Sequence, residues 1–543
     1  MYISAIKDCE NSLKTAILNQ CKDKNDPYYG GVINISEHVY DYMYTPSLVT
    51  NAVLLYLNEK SIYYKKKELF ESIDMAMIFS NRWLNPDGTM HLLGCNFFTA
   101  AGSQAIEFGQ MILIIDEYDT DGELAGYREQ FLSLLEKYAQ GILVSGFHTP
   151  NHRWIYASAL SIVYYITKKD EFKNGIDMYL LEGIDCNADG EYAERSAGGY
   201  NVVSNNALIM IAQYYGKTEL YQLVERNLKM MVSYIEPNMS LFTMNSTRQD
   251  KNANVWADVY FGNYLYMSKV LDNKEFYDLA IRILENAGEQ GRKVGISLAF
   301  LMLNKELQVV KIPERIEKFE RSIDAFYEKS GIVRLIENDI SYSLLKDQTT
   351  FFYSHFGEIS VYCRGYAHFF GSRNFSMQSI DKTAEGYQLH YQYDGKYLLP
   401  LKEEPETHDW WQMDHSKRET KISTTFDLWV HFKKLTDGVE IAFKVKTCKG
   451  VPIKFEFGIS PNCGLEGENF RIAPQKGIQV MAKGFVKAEN SKTAILIGPL
   501  SADNTKSDFM GGAVGFSNEQ MTILMTMNCE ENDTRTLTIR KIK

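Results

Sequence analysis

Two stretches of the chain concentrate side chains able to hold an anion and move a proton. The first is His148-Thr-Pro-Asn151-His152-Arg153-Trp154. Thr149 suits a helix N-cap and Pro150 the first helical position. Asn151, His152 and Arg153 then fall in the first turn, where free N–H groups and the helix dipole favour negative charge. Two imidazoles, a carboxamide and a guanidinium fit a carboxylate and a proton transfer. A plain capped helix start anchored by Trp154 would need none of them. The second stretch is Asp189-Gly-Glu191-Tyr192-Ala-Glu194-Arg195-Ser-Ala-Gly-Gly-Tyr200-Asn201. From Glu191 onward, two carboxylates, two phenols, a guanidinium and a carboxamide gather where a helix is expected to start. Glu191 and Glu194 share a face if the segment is helical and splay apart if it is extended. Glycoside hydrolysis needs a carboxylic acid and a carboxylate, and burial can raise a Glu into the acid role. Elimination from a uronate needs a neutralised carboxylate, a base at the sugar C5 and an acid, work suited to His152 and Tyr200. The alternative is a paired Glu–Arg turn with Tyr packing.

Three weaker groups join these. In Thr247-Arg248-Gln249-Asp250, Arg248 could clamp a carboxylate through a bidentate fork; a solvated helix start is the competing reading. Asn96-Phe97 precedes Glu107. His408-Asp-Trp410-Trp411-Gln-Met-Asp414-His415 places paired indoles in a polar loop, where Trp410 either stacks on sugar or plugs a domain interface.

The elements that must position these groups change character along the chain. Up to about residue 325 the apolar spacing is helical, in about 12–14 segments joined by short loops. From Gly331 the segments are short, β-branched or aromatic, and bounded by Gly, Asn or Asp, with Asp394-Gly395 and Asp437-Gly438 reading as hairpin turns. The expectation is an α+β chain: an (α/α) helical toroid over 1–325 and an antiparallel β-sandwich over 331–543. A weak repeat supports the toroid. Asn85-Pro-Asp-Gly-Thr-Met-His91 resembles Asn187-Ala-Asp-Gly-Glu-Tyr-Ala193, and Glu236-Pro-Asn-Met-Ser-Leu-Phe242 is a degenerate third copy. These joints and the one at 148 are spaced by roughly one helical hairpin each, so alternating hairpins would bring all four to one rim.

Composition bounds the function. The chain has 543 residues, 45% apolar and 23% charged, which is ordinary for a globular protein. A net charge of −11 argues against a nucleic-acid partner. The 35 Tyr, 29 Phe and 6 Trp supply cores and also flat rings suited to sugar faces. Asp8 and Glu10 interrupt any signal-peptide core, and apolar runs such as Met111–Ile115 are too short to span a membrane, so a cytoplasmic location without a membrane partner is expected. The eight cysteines show no C-x-x-C spacing and read as free thiols. No phosphate loop, zinc spacing or nucleophile elbow occurs, and Pro150 interrupts the His148/His152 pair, so neither a metal nor a cofactor is expected. Association into a homo-oligomer is left open.

The helical part resembles glycoside hydrolase family 154, exo-acting β-glucuronidase-type enzymes distantly similar to heparinase II/III-type toroid lyases. The matching pieces are Pro86-Asp-Gly-Thr89, Asn96-Phe97, His148 to Trp154, Glu182-Gly-Ile-Asp185, Asp189-Gly-Glu-Tyr192, Glu194-Arg195-Ser196 and Arg248-Gln249-Asp250. After Asn96-Phe97 this chain has Phe98-Thr-Ala-Ala-Gly102 where the resemblance leads one to expect a His-Ser-Pro-Pro-type stretch. The resemblance implies a hydrolase that removes a terminal uronic acid from an oligosaccharide or glycoside. Glu191 and Glu194 would be the proton-transfer pair, with His152 and Tyr200 assisting. His148, Asn151, Arg153, Trp154, Tyr192, Arg195, Asn201, Arg248, Asn96 and Trp410 would bind substrate. The alternatives are a uronate lyase with His152 and Tyr200 as the proton-transfer groups, and a non-catalytic glycan-binding protein.

Overall fold

The computed structural model describes residues 1–40, 44–90, 101–310, 321–507, 513–516 and 519–543. Twelve α-helices lie among them, all in the first part of the chain: α1 (Tyr2–Leu18), α2 (Tyr44–Leu57), α3 (Leu69–Arg82), α4 (Ala101–Tyr118), α5 (Ala125–Val144), α6 (Pro150–Thr167), α7 (Asp170–Leu180), α8 (Tyr200–Tyr215), α9 (Tyr221–Tyr234), α10 (Phe261–Val270), α11 (Lys274–Glu289) and α12 (Leu298–Leu303). Contacts divide the chain into two compact units, Met1–Ile235 with Met239–Glu317, and Glu236–Asn238 with Lys318–Lys543. The first unit is the helical toroid. Consecutive helices pack as hairpins, α2 on α3, α4 on α5, α6 on α7, α8 on α9 and α10 on α11, while α6 also packs on both α4 and α8. The alternate helices α4, α6 and α8 therefore form an inner layer. They are apolar on most sides, as a helix packed on several neighbours must be; in α6 the run from Tyr156 to Val163 is wholly buried.

The repeat is visible as geometry. At the first joint Asn85 N–H donates to the Thr89 carbonyl at 2.9 Å, and at the second Asn187 N–H donates to the Glu191 carbonyl at 2.9 Å. Gly88 and Gly190 occupy the same place in each turn with φ of 84° and 102°. A Cβ there would lie 2.1 Å from the Lys137 carbonyl oxygen or 2.4 Å from that of Arg226, so glycine also lets each turn touch the adjacent outer helix. In the degenerate third copy Met239 takes the equivalent left-handed position, with φ of 68°.

The second unit holds the sandwich. Its core is a continuous apolar cluster that includes Val333, Phe352, Phe375, Leu428, Phe443, Phe455, Ile497 and Ile523. Among the described residues one sheet has nine strands and the other eight. These strands pair antiparallel except Gln479–Met481, which runs parallel to Met521–Cys529. The first strand, Ser322–Tyr327, pairs with Ile332–Glu337, so the sandwich begins before the 325–331 change of pattern; alternation in that strand is too weak to be told from a helix end. Asp437 lies in the turn that brings Leu435 opposite Gly438, as expected. Asp394-Gly395 corrects the sequence reading. Both lie inside the strand Gly386–Leu398, opposite Thr425 and Thr424, and Gly395 is there because a Cβ would stand 2.1 Å from the Phe370 ring. Within this unit Glu236 is fully buried. Its carboxylate accepts from Arg334 at 2.9 Å and from the Ser341 hydroxyl. Burial works against its charge, but Arg334, His355 and Ser341 outweigh burial and hold the carboxyl below its ordinary range.

Among the described residues the cysteines are free, no helix is long and apolar enough to cross a membrane, and no group of His, Cys, Asp and Glu is arranged to hold a metal ion.

Candidate active site

The site is assembled from three loops of the toroid, each leading toward a helix. Pro150 opens α6 as expected, with Thr149 extended at the N-cap. Thr149 makes no side-chain cap bond; its hydroxyl lies 3.4 Å from the Asn151 side-chain oxygen. Residues 191–199 are not helical, because α8 starts only at Tyr200. Glu191 and Glu194 therefore need not share a face, and Arg195 just after them takes a left-handed φ of 51°.

Asp250 ties the second loop to the third. Its carboxylate accepts from the Ser196 hydroxyl at 2.9 Å, from the Ser246 hydroxyl, and from Gly198 N–H at 2.8 Å. The Thr247 hydroxyl adds a bond to the Glu194 carbonyl at 2.9 Å. Glu194, 7% exposed, sits where all three loops meet. Asn151 Nδ2 donates to it at 2.7 Å and the Arg248 guanidinium pairs with it at 3.3 Å. Burial lifts the Glu194 carboxyl above its usual range, opposed by Asn151 and Arg248. The Arg248 guanidinium also lies over the Tyr200 ring at 4.8 Å, and the Tyr200 hydroxyl is 3.4 Å from Gln249 Oε1. His148 and His152 meet edge to face at 4.8 Å. Burial, then the neighbouring His148 and Arg248, lowers the His152 pKa to about 4, so its imidazole is neutral at pH 7.

Glu191 forms a second node. It is 3% exposed, accepts from Asn245 Nδ2 at 2.5 Å and Tyr234 Oη at 3.2 Å, and lies 3.5 Å from Arg195 Nε. Asn245 and Tyr234 were not singled out from the sequence. Their only signal is position, at the end of α9 and just after the third joint.

His148, Asn151, His152, Glu194, Tyr200 and Arg248 are thus brought together, with Glu191 and Arg195 on the adjoining node. Four other expected substrate contacts are engaged within the protein. Arg153 is buried, bonded to Glu182 at 2.5 Å and packed on Trp154 at 4.3 Å, so it is engaged within the protein. Trp154 is 0% exposed and cannot stack on sugar. Tyr192 is buried with its hydroxyl 2.8 Å from Asn205 Oδ1, and Asn201 is buried with its amide on the Met231 sulfur at 3.6 Å. Asn96 lies outside the described residues. Trp410 belongs to the second unit, 54% exposed, with its ring 4.4 Å from that of His415 and under the Arg418 guanidinium.

Comparison of the sequence with family models and with curated proteins gives no match. Solved structures do match in fold. A xanthan lyase from Paenibacillus is 10% identical over 99% of this chain and 57% of its own, with a TM-score of 0.57. A heparan sulfate lyase from Pedobacter heparinus is 12% identical over 98% and 83%, with a TM-score of 0.53. A heparinase III gene product is 10% identical over 99% and 84%, with a TM-score of 0.54. The chain therefore spans little more than half the length of the xanthan lyase. What is shared is the fold.

Proposed function

We propose that this protein cleaves uronic-acid-containing glycans or glycosides by β-elimination, at the rim site of the toroid. The observation that carries the reading is the neutral His152 imidazole, set beside His148 and within electrostatic reach of Arg248, which itself lies over Tyr200. A uronate carboxylate drawn to the Arg248 guanidinium would have its charge offset, which acidifies C5–H. The neutral His152 accepts the C5 proton. The Tyr200 hydroxyl protonates the departing O4, and a double bond forms between C4 and C5. Asn151 and Glu194 hold Arg248 in place and act through it. The fold likeness to xanthan, heparan sulfate and heparin-type lyases agrees with this reading.

A second reading, uronide hydrolysis of the glycoside hydrolase family 154 type, draws on a different observation. Glu194 is buried with its carboxyl raised, while Glu191 is held by three donors three residues away. That is one acid and one carboxylate. A screen that sets 4-O-substituted uronate oligosaccharides beside uronate-capped oligosaccharides and aryl β-glucuronides separates the two, because elimination needs a leaving group on O4 that only the first kind carries. Elimination yields products that absorb in the ultraviolet and sum to the substrate mass. Hydrolysis yields products heavier in sum by one water, without that absorbance, and would overturn the elimination reading.

A further inference from the structure

Beneath the rim lies a cavity of about 540 Å³ enclosed by the inner helices of the toroid, a volume typical of small-molecule sites. Its position follows from helix phase. Ile155 and Val203 line it, three residues after His152 and Tyr200 on α6 and α8. At 1.5 Å rise per residue that is about one turn below the proton-transfer groups, and helical side chains lean back toward the N-terminus, here toward the rim. The cavity therefore lies toward the ends of α6 and α8 that carry His152 and Tyr200. Its walls are largely apolar, with Ile106, Ile155, Val203, Val259, Ile296 and Phe300 facing in.

The polar groups among its lining residues are uncharged apart from one. Among the described lining residues there is no Lys, Arg or His, and the exception is Glu107. Burial raises the Glu107 carboxyl, and Ser47 donates to it at 2.9 Å. A sulfate or second uronate in this cavity would lose its water without gaining a cation, beside a carboxyl. A repeating acidic polysaccharide chain is thus a poor occupant. An uncharged apolar group loses nothing on entry and gains burial.

From this we infer that the lumen is an aglycone chamber: it takes the uncharged, apolar non-sugar portion of a uronide whose carboxylate is held at the rim. The inference rests on the uronate reading above and narrows it to uronides with an aryl or alkyl aglycone at C1, which for elimination also carry the departing group on O4.

The test uses ligands with a 1-thio linkage that resists hydrolysis, measured by equilibrium dialysis at neutral pH. They are methyl and 2-naphthyl 1-thio-β-D-glucuronide, and 2-naphthyl 1-thio-β-D-glucoside. The wild type is expected to bind the naphthyl glucuronide at least tenfold more tightly than the methyl one. Val203→Trp and Ile106→Trp fill the lumen from two different helices. Each is expected to remove that advantage and keep the methyl ligand, whose retention also reports an intact fold. If Val203→Trp loses the methyl ligand as well, Ile106→Trp decides. Equal affinities in the wild type, no binding of either glucuronide, or an advantage that survives both substitutions overturns the inference. A naphthyl glucoside bound as tightly as the glucuronide, and lost in both variants, supports the chamber and overturns the uronate reading instead.

Discussion

The His152 imidazole should make the protein lose stability as the pH falls through a window set by its own environment. Its pKa drops from the ordinary 6.5 to about 4 in the fold, because burial, His148 and Arg248 all disfavour the charged ring. Between those two values the unfolded chain binds the extra proton, so stability falls with falling pH; below about 4 both states are protonated and the loss levels off. At pH about 5 the linkage amounts to about 2 kcal/mol, which we reduce to about 1 kcal/mol because the ring is only half-buried and water screens it. The assay is urea unfolding of the wild type and of His152→Gln, each at pH about 7.5 and about 5. His355 and His431 are also lowered by burial, but they are common to both proteins and cancel in the comparison. The wild type should lose about 1 kcal/mol more than the variant over this range. Identical losses would refute the claim that His152 is kept neutral. Activity should show the same signature, with an acid limb near pH 4 in place of one near 6.5.

Tyr200→Phe should lower kcat on a uronate oligosaccharide by about 100-fold or more with little change in KM, whereas a hydrolase would be hit as hard by Glu191→Gln or Glu194→Gln. Arg248→Met should raise KM and lower kcat, because it removes the cation that both holds the substrate carboxylate and acidifies C5–H; unchanged KM and kcat would argue against that role. Gly190→Ala places a methyl 2.4 Å from the Arg226 carbonyl oxygen at a φ of 102°, so urea unfolding should show a loss of about 2 kcal/mol or more, and a neutral result would contradict the turn geometry. In the second unit, Arg334→Met leaves the fully buried Glu236 carboxylate without its cation, and should cost about 3–5 kcal/mol in the same assay.

The two-part architecture was legible because its signals are periodic. The helical spacing through α5 and α6 and the repeated Asn-x-Asp-Gly turns at 85 and 187 each follow from local chemistry. Pairwise packing was less legible. Arg153 and Arg248 look alike as candidate clamps, yet one is tied to Glu182 and sandwiched by rings while the other stands half-buried over Tyr200. Trp154 and Tyr192 fail as sugar contacts for the same reason, since nothing in their own segments says which way they face. Asn245 and Tyr234 were missed because their importance arises only when the chain returns to Glu191 across 54 and 43 residues. Asp394-Gly395 misled because a glycine required for close approach of Phe370 has the same spelling as one required for a turn.

The most direct measurement is a crystal structure of Tyr200→Phe soaked with a uronate-containing ligand. The account predicts the uronate carboxylate within hydrogen-bonding distance of Arg248, with the sugar C5 facing His152. Sugar density elsewhere, with the loops carrying His148, Glu194 and Arg248 left bare, would contradict it.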